Sequence, residues 1–323
     1  MTDIPAPKVS IIIPCRAITA YAEEAVRHCR DLDYPDYEIV VLPNEDVGAE
    51  RVPGATVMPT GDIGPAEKRD FAAQRATGAI LAFLDDDAYP RPDWLRNAVA
   101  HFEDPAVAAV GGPAVTPPSD PPRARAGGLV FESLLGGGPY AYRYVAGKRQ
   151  DVDDYPSCNL LVRKADFDAV GGFDNRYWPG EDTVLCMALT KKLGKRIVYE
   201  PSALVYHHRR NLFGPHLKQV KSYALHRGLF ARRFPATSRR PSYFLPSLFV
   251  LGLAAGPVVW FLPYLRTIWW TVTAIYLALV FATGVKAGAK TGPLVSLGVI
   301  ATNVVYGLWF LRGFARPRLH ERR

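Results

Sequence analysis

The apolar positions fall into two regimes. Along residues 8–112 they come as short runs separated by polar, helically spaced stretches. Val9-Ser10-Ile11-Ile12-Ile13 is rich in β-branched residues, and Glu38-Ile39-Val40-Val41-Leu42, Ile80 to Leu84 and Val107 to Val110 are similar. Runs of this length with no alternation predict strands buried on both faces. Ala20 to Leu32, Pro65 to Ala76 and Pro92 to Phe102 have helical spacing. Strand–helix alternation predicts an α/β domain with a largely parallel sheet. Near the C-terminus the runs become long: Pro241 to Leu265, Thr267 to Val285 and Thr291 to Leu311. Each has the length needed to cross a hydrocarbon core of roughly 30 Å. Trp260, Tyr264, Trp269, Trp270 and Trp309 cluster toward their ends, as interfacial anchors do.

Charge divides the chain at nearly the same place. Of 323 residues, the first 200 carry 22 Lys+Arg against 30 Asp+Glu, whereas the remainder carries 17 Lys+Arg and a single acid, Glu321. A mildly acidic domain is thus joined to a basic, apolar one suited to an anionic surface, either phospholipid headgroups or nucleic acid. His207 to Arg240 has nine Lys+Arg, four His and no acid. Leu217, Val220, Ala224 and Leu225 share a helical face there, with Lys218, Lys221 and Arg227 largely off it. This pattern predicts a basic amphipathic helix on an anionic membrane. Sparse aromatic interleaving and the neighbouring apolar stretches argue against nucleic acid as the partner. The expected division is 1–206 for the first domain, 207–240 for the interfacial segment and 241–323 for the membrane region.

The positive-inside rule puts Arg232, Arg233, Arg239 and Arg240 on the cytoplasmic side, and Lys286 with Lys290 as well. Three full crossings would then place Arg312, Arg316, Arg318, Arg322 and Arg323 outside, against the same rule. Pro293, Gly298, Asn303 and Gly307 interrupt the third stretch, so two crossings and a re-entrant or surface-lying third segment are expected. Met1 to Lys8 has no apolar signal core, which predicts a first domain kept in the cytoplasm at the inner membrane. Cys15, Cys29, Cys158 and Cys186 have no metal-ligand spacing and read as free thiols.

Candidate chemistry concentrates at Leu81-Ala82-Phe83-Leu84-Asp85-Asp86-Asp87, where a buried strand ends in three adjacent carboxylates. A hard divalent cation, Mn²⁺ or Mg²⁺, relieves such repulsion and leaves positions for phosphate oxygens. A solvated acidic turn is the plain alternative, since Tyr89, Pro90 and Pro92 follow. Neither a GxGxxG nor a phosphate loop with its lysine is present, which removes the ordinary dinucleotide and P-loop readings. Residues 113–128, rich in Pro and Gly and carrying Arg123 and Arg125, read as a mobile loop, with Gly136-Gly137-Gly138 a second flexible point. Gly171-Gly172-Phe173-Asp174 reads as a turn. Trp178-Pro179-Gly180-Glu181-Asp182 opens a helical run, Thr183 to Leu193. Acids there suit the helix dipole or supply a general base. A strand at Ala203 to Tyr206 delivers His207-His208, either to a metal shell or to phosphate.

Taken together, Val9 to Pro14, Gly64 to Arg69, Phe83 to Asp87, Val170 to Asp174, Gly180 to Asp182 and His207 resemble the family 2 inverting glycosyltransferases of GT-A fold, over roughly residues 8–235. The resemblance implies a mixed Rossmann-like sheet, a nucleotide-diphospho-sugar donor of UDP, GDP or dTDP type, a divalent cation and inversion at the anomeric carbon. It implies that Pro14 to Arg16 lie under the nucleobase, with Asn44 and Glu45 nearby, and that Lys68 and Arg69 face the nucleotide. Asp85, with Asp86 beside it, and Asp87 would touch ribose and metal, with His207 completing the metal site. Asp182 would be the catalytic base and Glu181 would help place the acceptor. Where the family often has an acidic pair after the second strand, this chain reads Pro43-Asn44, and Asp70 stands where asparagine is common. With no Gln-x-x-Arg-Trp motif, the resemblance implies a lipid-linked or membrane-embedded hydroxyl acceptor rather than polymer extrusion. Polyprenyl phosphate is the alternative acceptor. A membrane-tethered nucleotidyltransferase and a non-catalytic anion-binding module are the readings from other classes.

Overall fold

A computed structural model describes residues 6–316 apart from Val47, Asp174 and Trp178. Asp174, Trp178 and the tail arginines Arg318, Arg322 and Arg323 therefore lie outside the described residues. The chain divides into two compact units, one of residues 1–115 and 145–208, the other of 116–144 and 209–323. The compositional break seen in the sequence falls at 206, so the second unit also takes in an excursion from the first half of the chain.

In the first unit the strands are β1 (Val9–Pro14), β2 (Tyr37–Leu42), β3 (Thr56–Val57), β4 (Ile80–Leu84), β5 (Ala88–Pro90), β6 (Val107–Gly111), β7 (Ala114–Val115), β8 (Gln150–Val152), β9 (Asn159–Arg163), β10 (Arg196–Tyr199) and β11 (Val205–His207). Eight form one sheet in the order β3-β2-β1-β4-β9-β6-β10-β8, and β5-β11-β7 form a second. The core strands behave as their composition demands: every residue of β1 and β4 is buried. β1 pairs in parallel with both β2 and β4. The sheet is less parallel than the strand–helix alternation suggested. β9 runs against β4 on one side and β6 on the other, and β8 runs against β10.

The helices of this unit are α1 (Ala20–Arg30), α2 (Pro65–Ala73) and α3 (Trp94–Val99), then, beyond α4 of the other unit (Pro122–Glu132), α5 (Lys164–Val170) and α6 (Glu181–Met187). α1 starts where the Thr19 hydroxyl accepts the Ala22 N–H, and it buries Ala22, Ala25, Val26 and Cys29. That i, i+3, i+4, i+7 set is the apolar stripe of an amphipathic helix. α2 opens on Gly64 with Pro65 at its first position, and the Glu67 carboxylate accepts the Gly64 N–H at 2.8 Å. α6 ends sooner than its sequence pattern suggests, passing into a π turn over Ala188–Lys192.

In the second unit, α4 occupies part of the stretch expected to be a mobile loop. Its Gly127 and Gly128 are buried, Gly128 so close to Thr116 that a Cβ would lie 2.0 Å from the hydroxyl. Small residues here serve tight packing rather than flexibility. The remaining helices are α7 (Gly214–Arg233), α8 (Pro235–Ser238), α9 (Pro241–Val259), α10 (Pro263–Lys286) and α11 (Gly292–Ala315). α9, α10 and α11 are long and apolar enough to cross a membrane. The apolar face of α7, including Val220 and Ala224, is buried, while Lys218, Lys221, Arg232 and Arg233 are exposed.

Candidate active site

The site lies beyond the carboxyl ends of β1, β2 and β4, where open α/β sheets receive ligands. β4 is wholly buried, and it delivers Asp85, Asp86 and Asp87 at the point where burial gives way. The chain then turns into β5, whose Ala88 pairs with His207 of the antiparallel β11. That short ladder brings a histidine 120 residues away onto the acidic turn: His207 Nε2 lies 2.9 Å from Asp87 Oδ1. Asp85, Asp87 and His207 each offer one ligand atom within 4.8 Å of the others. The second histidine of the tandem faces elsewhere, with His208 Nε2 2.9 Å from Glu24 Oε2.

Two carboxylate oxygens and one imidazole nitrogen are a donor set that fits a divalent cation of the Mn²⁺ kind, with room for phosphate or water. The electrostatics favour the same occupant. Burial, then the neighbouring Asp87 and Asp85 charges, push the Asp86 carboxyl up to about 7. Three crowded carboxylates share the Arg69 guanidinium and one imidazole, which leaves negative charge for a cation to offset.

Arg69 and Lys68 serve different sides of this site. Arg69, only 4% exposed, donates from Nη2 to Asp85 Oδ1 at 2.7 Å and from Nη1 to Glu181 Oε1 at 3.2 Å. It therefore ties the end of β4 to the start of α6. Its guanidinium also stands 5.6 Å from the centre of the Phe173 ring. Lys68 Nζ donates to the carbonyls of Cys15 and Leu42 and to Asn44 Oδ1, at 2.8, 3.0 and 2.7 Å. It clamps the loops that follow β1 and β2. The resemblance implies that both cations face a nucleotide, and within the protein both also hold these partners. Neighbouring helical residues point about 100° apart, so one helix can brace two places.

The clamp draws Pro14, Arg16, Asn44 and Glu45 to one end of the sheet. Pro14 ends β1, the Asn44 N–H donates to the Arg16 carbonyl at 3.0 Å, and Arg16 and Glu45 are exposed. Asn44 Nδ2 also donates to Asp62 Oδ1 at 3.0 Å. Asp62 went unnoticed in the sequence, and its place between Gly61 and Gly64 was the available signal.

α6 begins at Gly180, whose φ of +127° a side chain would resist. Glu181 is 5% exposed and engaged through both oxygens, Oε1 by Arg69 and Oε2 by the Gly180 N–H at 2.9 Å. Asp182 is half-buried, and its Oδ1 accepts the Thr183 N–H at 2.8 Å. Next to this helix start, Asp70 Oδ1 accepts the Phe173 N–H at 2.9 Å. A Cβ on Gly172, which has φ +75°, would fall 2.6 Å from that oxygen.

Burial pushes the Asp70 carboxyl up to about 6. A carboxyl raised above its unfolded value of 3.8 costs nothing below pH 4, an increasing amount between pH 4 and 6, and a constant amount above that. Asp70→Asn keeps an oxygen for the Phe173 N–H and removes the charge. It is expected to raise stability at pH 7.5 by about 1 kcal/mol, a figure discounted for the carboxyl's remaining exposure. Denaturation midpoints of parent and variant should converge at pH 4 and separate by pH 7.

The mixed sheet and the acidic turn beyond the carboxyl end of its central strand define an α/β fold of GT-A type. The chain belongs to glycosyl transferase family 2, whose model matches residues 10–171. A pre-mycofactocin glycosyltransferase of Mycobacterium tuberculosis is 36% identical over 149 residues, which are 46% of this chain and 30% of that protein. A glucosyl-dolichyl phosphate glucuronosyltransferase of Haloferax volcanii is 26% identical over 152 residues, 45% of this chain and 47% of the relative. The match thus spans less than half the length of either relative. Among solved structures, a mannosyltransferase from Pyrobaculum calidifontis in complex with GDP-Man and Mn²⁺ shares the fold, with a TM-score of 0.55 and 20% identity over 95% of this chain and 88% of that one. GalNAc-T7 with UDP, GalNAc and Mn²⁺ aligns at a TM-score of 0.51 and 16% identity, covering 74% of this chain and 52% of that one.

Proposed function

We propose that the protein is a membrane-bound inverting glycosyltransferase. It moves a sugar from a nucleotide-diphospho-sugar to a hydroxyl of a lipid-linked or membrane-embedded acceptor, at the cytoplasmic face of the inner membrane. The observation that carries this reading is the Asp85, Asp87 and His207 cluster in a family 2 chain, with Arg69 linking Asp85 to Glu181, the chain neighbour of Asp182. The GDP-Man, UDP and Mn²⁺ of the two structural neighbours support a nucleoside diphosphate and a divalent cation as the occupants.

Asp85, Asp87 and His207 would hold Mn²⁺ or Mg²⁺, which acts as a Lewis acid on the leaving diphosphate. The loops clamped by Lys68 would receive the nucleobase and ribose. Asp182 would accept the proton of the acceptor hydroxyl as its oxygen bonds to the anomeric carbon. The bond from that carbon to the diphosphate breaks in the same displacement, which inverts the configuration and needs no covalent enzyme intermediate. Arg69 would keep Glu181 and Asp85 in place while this happens.

The direct test is binding of UDP, GDP and dTDP to the detergent-purified protein, each with Mn²⁺ and with a chelator. One diphosphate is expected to bind at least about tenfold more tightly with the metal, given that tenfold is only about 1.4 kcal/mol. Asp87→Ala should abolish that difference. Equal binding with and without metal, or no binding at all, would remove the metal–diphosphate reading and favour a non-catalytic anion-binding module.

A further inference from the structure

The third apolar helix has the length of a membrane span but the wrong neighbours for one. A chain that crosses a bilayer three times in succession runs its first and third spans in the same direction. α9 and α11 run in opposite directions. The Phe244 ring packs 4.8 Å from Phe310 and 5.8 Å from Phe314, whereas Ser247 Oγ, further along α9, donates to the earlier Gly307 carbonyl at 3.1 Å. α9 and α10 are also opposed, through Phe249 on Tyr276 at 4.3 Å and the Trp269 indole donating to the Gly252 carbonyl at 2.8 Å. So are α10 and α11: Asn303 Nδ2 donates to the Tyr276 hydroxyl at 3.1 Å, and Gly284 abuts Gly292.

Three helices that are opposed in every pair cannot all stand along one axis, so one lies across the other two. The ends identify it. α11 begins beside the last turn of α10, at Gly284, and finishes beside the first turn of α9, at Phe244. Those two ends share one side, because residues 260–262 join α9 to α10 at the other.

The surroundings of α11 agree. Of its most apolar window 39% is buried by protein, against 11% for α9 and for α10. α7 runs alongside it: His216 Nε2 lies 3.0 Å from Thr302 Oγ1, Lys221 stands over the Trp309 ring at 4.0 Å, and a Cβ on Gly313 would lie 1.9 Å from the Leu225 carbonyl. Helices bearing exposed Lys218, Lys221, Arg232 and Arg233 cannot accompany a span into hydrocarbon.

We propose that α9 and α10 form a single membrane hairpin, and that α11, braced by α7, packs obliquely across it and both starts and finishes on the side where the hairpin starts and ends, so that it makes no third crossing. There Arg239, Lys286, Lys290, Arg312 and Arg316 all meet the same anionic headgroups. Three crossings would separate Arg312 and Arg316 from the other three. At the opposite interface the tip carries exposed Trp260, Phe261 and Tyr264, with Arg266 5.9 Å from the Trp260 ring centre. A belt of aromatics and a snorkelling cation suits that depth. The arrangement stands independently of the transferase reading.

Phe261→Cys, Lys290→Cys and Arg316→Cys would be made singly in the full chain and labelled with a membrane-impermeant maleimide in sealed inverted vesicles. The parent protein gives the background from Cys158. Lys290→Cys and Arg316→Cys are expected to label equally, and Phe261→Cys only after detergent. Protection of Arg316→Cys beside labelled Lys290→Cys would mean three crossings. Labelling of all three would mean that the hairpin does not cross. Either result overturns the proposal. Trypsin digestion of parent vesicles covers the case of a misfolded variant. Cleavage after both Lys290 and Arg318 is expected, and protection at Arg318 alone overturns the arrangement.

Discussion

Asp182→Asn is expected to lower transfer by about 10²–10⁴-fold, the range for loss of a positioned general base. Metal-dependent binding of the nucleoside diphosphate should stay within about twofold of the parent. The choice of Asp182 over Glu181 follows the resemblance to the family, and the engagement of Glu181 agrees with it. Glu181 has Arg69 on one oxygen and the Gly180 N–H on the other, and it is 5% exposed. Both of its oxygens thus help to hold the frame of the site. Asp182 is half-buried at the second position of α6, and its Oδ1 accepts the Thr183 N–H. Asparagine preserves that contact and the side-chain shape while removing the ability to take a proton. The variant also separates the two acceptor classes. A hydroxyl must lose its proton during attack, whereas a polyprenyl phosphate is already an anion. Near-parental turnover in Asp182→Asn would therefore eliminate the hydroxyl acceptor and leave the phosphate one.

The strands that carry the site were legible because they are continuous apolar runs ending in charge. Ile80 to Leu84 followed by three aspartates can hardly be anything but a buried strand meeting an edge. His207 was legible as the end of an apolar run, and its proximity to Asp87 follows from the pairing of β5 with β11. β9 and β10 were missed because four- or five-residue strands carry little pattern, and their direction is set by neighbours rather than composition. α4 was hidden by Pro121, Pro122, Gly127 and Gly128, which read as loop; Pro122 occupies the first turn, where proline is tolerated, and the glycines fit against Thr116 and the Arg210 carbonyl. The lengths of α9 to α11 were plain from hydropathy. Their relative directions were not, since these depend on which small residue lets which backbone approach. Lys68 and Arg69 were legible through the resemblance, which has them facing the nucleotide, but not their partners inside the protein. The folded chain supplies carbonyls and the Asn44 amide oxygen for the lysine and carboxylates for the arginine.

That last point sets the second large effect. Arg69→Met is expected to destabilise the protein by about 3–5 kcal/mol, the cost of leaving a buried charge without its partner. The stranded groups are Glu181, almost fully buried, and Asp85, whose side chain is 32% exposed and better able to recover water. Most of the loss should therefore come through Glu181. Adding Glu181→Gln to Arg69→Met should recover a large part of it, because the amide needs no counter-charge and still offers an oxygen to the Gly180 N–H. Unfolding midpoints of the two single variants and the double variant measure this coupling directly. Arg69→Lys provides the contrast. Lysine keeps the charge but cannot reach Asp85 and Glu181 together with the planar fork of arginine. If Arg69 braces the site from within, Arg69→Lys loses stability as well as diphosphate binding. If instead its role is to face the nucleotide, the lysine variant keeps parental stability and loses binding alone.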